Sequence, residues 1–188
     1  FQEFLALYPN AEEVVSVQNF LQMSYVQVGK TDTEIEQLTQ GQAKSSVLAD
    51  LYWEKGAKAY NDKDYPLALG YFEKILIDFP ASPLAAQASF YRGESFYLQE
   101  KYPEASAAYR NFLAQYPNDE QAPTSMFRLG VSLFNMNRFD EAAVNFESLV
   151  KKFPNDPLAA TAAENIPLAY AKIGKSADSE RAYGQLLS

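Results

Sequence analysis

Pro80, Pro117 and Pro154 stand 37 residues apart, and each closes the same ten-residue pattern. YFEKILIDFP at 71–80 returns as AYRNFLAQYP at 108–117 and as NFESLVKKFP at 145–154. A fixed period of roughly 20–50 residues marks a chain built by stacking one supersecondary unit on the next. One such unit cannot bury its own apolar face. The fold must therefore be an array in which neighbours supply each other's core.

A second set of residues keeps the same register upstream of each proline. Gly56, Gly93 and Gly130 are followed by Ala68, Ala105 and Ala142, and then by Phe72, Tyr109 and Phe146. The spacing Gly-x11-Ala-x3-aromatic-x7-Pro holds in all three copies. It resembles the tetratricopeptide repeat (TPR) family, whose pattern runs Trp-x2-Leu-Gly-x2-Tyr, then Ala-x3-Phe, then Pro. The best copy reads Met126-x2-Leu129-Gly130-x2-Leu133, Ala142-x3-Phe146, Pro154. The other two place Lys55 and Arg92 at the Leu position, and Tyr52 and Ser89 at the Trp position. The resemblance implies an all-α fold, a right-handed α-solenoid of antiparallel helix pairs (A and B) wound into a TPR superhelix.

The expected layout is a single solenoid over 1–188. Residues 1–10 match the end of a preceding helix B, and 15–48 form a degenerate repeat with Gly29 at the inter-helix turn, Gln22 at the Gly position and Glu34 at the small position. Clear repeats follow at 49–85, 86–122 and 123–159, with a partial repeat at 160–188. Starting at Phe1 and stopping inside a helix B, the chain reads as a fragment of something longer. The small residues are expected where helices A and B approach most closely, and the aromatic residues between helix B and the next repeat. Pro66 and Pro103 suit first helical positions of helices B, where a missing N–H costs nothing. Ser82-Pro83 and Asp156-Pro157 read as N-caps followed by proline. Pro167 stands at the Gly position of the last unit and predicts a kink or break there.

Composition narrows the chemistry. His and Cys are both absent, which removes disulfides, thiolate and imidazole catalysis and nearly every zinc site. The net charge of −8 opposes binding to a phosphate backbone, and the first 50 residues are the most acidic part. No run approaches the roughly 18 apolar residues of a membrane helix, so this chain is not expected to insert into a bilayer. Gly29-Lys30-Thr31 lacks the earlier glycine of a phosphate loop, since Ser24 stands there and no strand precedes it. Asp62, Asp64 and Glu73 have the spacing of a calcium loop, but Leu67 replaces its obligatory glycine. Acid pairs such as Asp140-Glu141 fall at helix starts, where they suit the dipole. No cofactor, metal or nucleic acid is expected, and no catalytic residue is assigned.

The resemblance places the second, fifth, ninth, twelfth and thirteenth positions of each repeat on the concave face. The fifth positions are Trp53, Phe90 and Phe127; the twelfth are Tyr60, Tyr97 and Phe134. All six are aromatic and form two rungs, with Asn61, Glu94, Leu98, Val131 and Asn135 between them. Either these rings pack on neighbouring helices and set the curvature, or they form a patch that a ligand must cover. Family members that clamp acidic tails carry Lys, Asn and Arg at such positions. Here the fifth and ninth positions are Trp53/Ala57, Phe90/Glu94 and Phe127/Val131. The expected partner is thus a protein or peptide segment with apolar side chains.

The period of 37 and the turns Tyr116-Pro117-Asn118-Asp119 and Phe153-Pro154-Asn155-Asp156 are similar to a bacterial envelope branch of the family. That branch includes outer-membrane assembly lipoproteins and the periplasmic coordinator associated with the Tol–Pal system. It implies a non-enzymatic adaptor, periplasmic or associated with the outer membrane, with a cytoplasmic location as the alternative. Two other functions stay open: a homo-oligomeric scaffold that stacks through its terminal repeats, and the regulatory arm of a larger enzyme.

Overall fold

The computed structural model describes Ser24 and residues 46–186. The expected units at 1–10 and 15–48 lie outside the described residues, apart from Ser24 and the first helical turn at 46–48. The described chain is all helical: α1 (Ser46–Asn61), α2 (Tyr65–Asp78), α3 (Ala85–Leu98), α4 (Tyr102–Gln115), α5 (Ala122–Asn135), α6 (Phe139–Lys152), α7 (Pro157–Lys172) and α8 (Ser176–Leu186). Each helix packs on the next in sequence, and α3 also touches α5, as α5 touches α7. The A helices α1, α3, α5 and α7 are therefore the inner, more crowded layer and line the concave face. The B helices α2, α4, α6 and α8 splay on the convex side. This is an antiparallel-pair solenoid of the TPR kind.

The period is visible in the backbone itself. Lys63, Glu100, Asn137 and Gly174 all adopt positive φ, from 58° to 72°, at one register of the A-to-B turn. Behind each, the chain closes a Schellman motif: Asp64 N–H bonds to Ala59 C=O at 2.8 Å, Lys101 to Phe96 at 3.0 Å, Arg138 to Leu133 at 2.9 Å and Lys175 to Tyr170 at 3.0 Å. The B-to-A turns are equally uniform. Ser82 Oγ accepts from Leu84 N–H at 3.1 Å, Asp119 Oδ1 from Gln121 N–H at 2.8 Å, and Asp156 Oδ1 from Leu158 N–H at 2.8 Å. Helices B end two residues before Pro80, Pro117 and Pro154, which cannot continue them. Pro66 and Pro103 take the second rather than the first helical position, behind Tyr65 and Tyr102. Ser82 caps a turn three residues before α3 begins, whereas Asp156 directly precedes α7 and caps it.

The core follows one rule. A Cβ on Gly56 would lie 2.8 Å from the Phe72 ring, one on Gly93 would lie 2.7 Å from Tyr109, and one on Gly130 would lie 2.4 Å from Phe146. The spacing alone puts these rings between helix B and the next repeat. They lie instead on the glycine of their own helix A, where the missing side chain leaves a flat seat. Phe72 also reaches forward to Tyr91, with ring centroids 5.7 Å apart. Ala68, Ala105 and Ala142 are fully buried beside them.

The last unit keeps the plan with different parts. Pro167 occupies the glycine register, yet α7 runs unbroken from Pro157 to Lys172 through it. The expected break is therefore overturned. Pro167 is almost fully buried, and its carbonyl accepts from the buried Ser179 hydroxyl of α8 at 3.0 Å, so tertiary packing holds the helix across the missing N–H. Tyr183, in the register of Phe146, has no glycine to lie on and remains 45% exposed.

Candidate functional site

The two aromatic rungs expected on the concave face have different surroundings. In the fifth-position rung, Trp53 lies 5.6 Å from Phe72, Phe127 lies 5.8 Å from Phe146, and Phe90 lies 5.9 Å from Phe112. Each ring thus leans into the seam with its own helix B. Phe90 is only 6% exposed and offers little to a partner, while Trp53 and Phe127 are half-buried. The twelfth-position rung is built otherwise. Tyr60, Tyr97 and Phe134 meet Tyr65, Tyr102 and Phe139, the first residues of helices B, edge to face at 5.6, 6.0 and 4.9 Å. The brace fixes each ring at one edge and leaves it half-buried. Leu98 (39% exposed), Asn61 and Asn135 extend this rung into solvent, and half-buried Val131 lies between the rungs. Leu168, one repeat after Val131, adds a further exposed apolar side chain.

At the centre sits a polar cluster. Glu94 is buried, accepts the Tyr109 hydroxyl hydrogen bond and pairs with Arg128 Nε at 3.2 Å. The Arg128 guanidinium lies over the Tyr97 ring, 4.4 Å from its centroid. Burial works against the Arg128 charge, but Glu94 and Tyr97 hold its pKa above the usual arginine value. Burial, then the Glu94 charge and hydrogen bond, pushes the Tyr109 phenol far up, and burial with the Glu94 charge does the same to Tyr60. The phenols therefore stay neutral donors, and a carboxylate that would be costly alone is held by a cation and a hydroxyl. The cluster joins α3, α4 and α5 across one repeat boundary and leaves Arg128, one-third exposed, facing the groove.

Sequence spacing missed two of these residues. Tyr91 packs against Trp53, Tyr60, Phe72 and Phe90 at 5.0–5.7 Å, and Arg128 is the cation of the cluster. Both occupy the sixth position, where the repeats carry Glu54, Tyr91 and Arg128. No shared residue type marks that register, so a search for recurrence passes over it.

No group of three or more His, Cys, Asp or Glu among the described residues could hold a metal ion, and none of the described helices is long and apolar enough to cross a membrane. What fold and groove define is a TPR solenoid with a concave, aromatic surface suited to holding a protein or peptide. Residues 45–176 match the family described as YfiO, outer membrane lipoprotein, and the chain belongs to that family. No curated protein sequence matches it. Among solved structures, MamA AMB-1 is 18% identical, with a TM-score of 0.63 over 94% of this chain and 91% of that one. MamA 41-end from Desulfovibrio magneticus RS-1 is 14% identical, with a TM-score of 0.61 over 93% and 94%. The first TPR of Spaghetti (RPAP3), bound to the HSP90 peptide SRMEEVD, is 21% identical, with a TM-score of 0.57 over 70% and 99%. At these identities the likeness is one of fold. None of these matches singles out the Tol–Pal-associated coordinator.

Proposed function

We propose that the chain is a non-catalytic scaffold of the bacterial envelope that holds an apolar segment of a partner protein along its concave face. The carrying observation is the open rung of Tyr60, Tyr97 and Phe134. These rings are fixed by their braces and partly exposed, whereas the rings that hold the fold together (Phe72, Tyr109 and Phe146) are buried to 1% or less. Rigid aromatics with Leu98, Val131 and Leu168 beside them supply apolar contact at small entropic cost. Arg128 is already paired with Glu94, so the groove centre carries no net charge and an apolar segment fits best. The family description supports an envelope setting.

The test is capture of partners from a bacterial envelope extract by the wild type and by a Tyr97→Ala/Phe134→Ala variant that retains native far-UV circular dichroism. Loss of a captured protein by about tenfold or more is expected, since two interface anchors of about 1 kcal/mol each are removed. Undiminished capture by the folded variant sinks the groove reading and moves attention to the convex face.

A further inference from the structure

Two hollows lie between adjacent helices B on the convex side, one repeat apart. The first, about 350 Å³, lies between α4 and α6, with Leu129 and Leu133 of α5 beneath it and Arg110, Asp140 and Glu141 at its edge. Its floor is apolar and its charges are matched: Arg110 pairs with Glu141 at 3.1 Å, and Asp140 with Lys175 at 2.6 Å. The second, about 310 Å³, lies between α2 and α4 over α3. Its floor carries Ser89 and Arg92 in the registers that Met126 and Leu129 fill in the next repeat.

Arg92 is out of place there. Leu129, its counterpart, is 5% exposed and belongs to the hydrophobic core. Lys55, the counterpart one repeat earlier, lies over the Tyr71 ring at 6.0 Å. In the middle repeat the residue in the register of Tyr71 is Ala108, which can pair with nothing. Arg92 takes part in no ion pair among the described residues, and its buried Nε meets no protein acceptor. A half-buried guanidinium without a carboxylate is unfavourable, and the period offers leucine as the ready alternative. Around it the hollow presents the amides of Asn111 and Gln115, the Ser89 hydroxyl, and an apolar rim that includes Ile77, itself 77% exposed.

We propose that this convex hollow is a second binding site, which takes an acidic side chain of a partner protein together with an adjacent apolar residue. The carboxylate pairs with Arg92, whose planar fork suits it, and the amides and hydroxyl fill its remaining hydrogen-bonding positions. The apolar neighbour covers Leu76 and Ile77. The site stands apart from the concave groove and does not depend on it.

The test uses the full chain with 15N-labelled arginine side chains and two capped probes, N-acetyl-Leu-Glu-amide and N-acetyl-Leu-Gln-amide. The Arg92 Nε–H resonance, assigned by its loss in Arg92→Leu, is expected to move on titration with the Glu probe. The Gln probe should bind at least about tenfold more weakly, because a charge-assisted bond is lost. Arg92→Leu should abolish the response while raising the thermal midpoint by about 2–4 °C, as expected when a residue kept for binding reverts to the core type. Three results would each overturn the proposal: no movement with either probe, equal movement with inorganic phosphate, or a lower midpoint for Arg92→Leu. The last would make Arg92 a structural residue of the solenoid.

Discussion

A methyl group on Gly130 would stand 2.4 Å from Cε1 of Phe146, well inside any tolerated carbon contact. Alanine is the better helix former by about 1 kcal/mol, but overpacking costs typically 1–3 kcal/mol, so the steric effect wins. Gly130→Ala is expected to lower unfolding free energy by about 1–2 kcal/mol in urea denaturation. Gly70→Ala, on α2 where an added Cβ meets nothing within 4 Å, should raise it by about 0.5–1 kcal/mol. Should the two substitutions act alike, helix propensity and not ring seating governs these glycines. The buried phenols give a pH counterpart. Tyr109 and Tyr60 are pushed up by burial first and by Glu94 next, so the folded chain keeps protons that the unfolded chain sheds near pH 10. Their stabilisation is complete below about pH 10 and is lost as pH rises beyond it. Tyr109→Phe should be less stable at pH 8 by about 1–3 kcal/mol, because Glu94 loses a donor. Above pH 10 its stability should decline less steeply than that of the wild type, by up to about 1.4 kcal/mol per pH unit. Equal slopes in urea titrations between pH 10 and 11 would place the Tyr109 phenol near its ordinary value.

Each A-to-B turn asks one residue for a left-handed conformation, and three of the four supply it without glycine. Lys63, Glu100 and Asn137 have φ of 63°, 58° and 60°, and Gly174 has 72°. Asparagine tolerates this region better than glutamate, so Glu100→Gly should stabilise by up to about 1 kcal/mol and Asn137→Gly by less. Gly174→Ala should destabilise by about 1 kcal/mol or more, read as a shift of the thermal midpoint. A gain from Gly174→Ala would mean that unfolded-chain entropy outweighs the strained turn. These turns also show what a sequence can disclose. The fixed spacing of Gly, Ala, aromatic and Pro makes the helix pairs legible, because each demands one residue type at one place. The left-handed register was not legible, since Lys, Glu, Asn and Gly share no chemistry. Pro167 shows the reverse failure: local propensity argues for a break, but burial against α8 and the Ser179 bond carry the helix through. In the groove, both aromatic rungs are equally visible as letters. Only the packing partner, Phe112 for Phe90 against Tyr102 for Tyr97, separates the buried ring from the partly exposed one.

At the scale of the molecule, the core of the described residues is not one continuous body. Buried residues from Leu48 to Ala88 form one cluster, and those from Phe90 to Ile166 form another, so the division falls inside α3. Tyr91 packs against both, with rings of Trp53, Tyr60 and Phe72 on one side and Phe90 on the other. In a solenoid each unit is held only by its neighbours, and cooperativity is as strong as its weakest interface. Tyr91→Ala should therefore do more than lower stability by the roughly 2–4 kcal/mol expected for removing a large, half-buried ring. It should uncouple α1 and α2 from the rest, so that they open sub-globally below the energy of complete unfolding. The single tryptophan, Trp53, stands in α1 and reports on that helix and its contacts with α2 and Tyr91, while far-UV circular dichroism reports on every helix. In the wild type the two urea transitions should coincide. In Tyr91→Ala the fluorescence midpoint should fall ahead of the circular dichroism midpoint, and amide exchange should speed up in α1 and α2 before α4 to α7. Coincident transitions in the variant would show that backbone packing of α2 on α3 carries the coupling without this ring. The groove, which crosses the same boundary between Tyr60 and Tyr97, would then keep its shape independently of Tyr91.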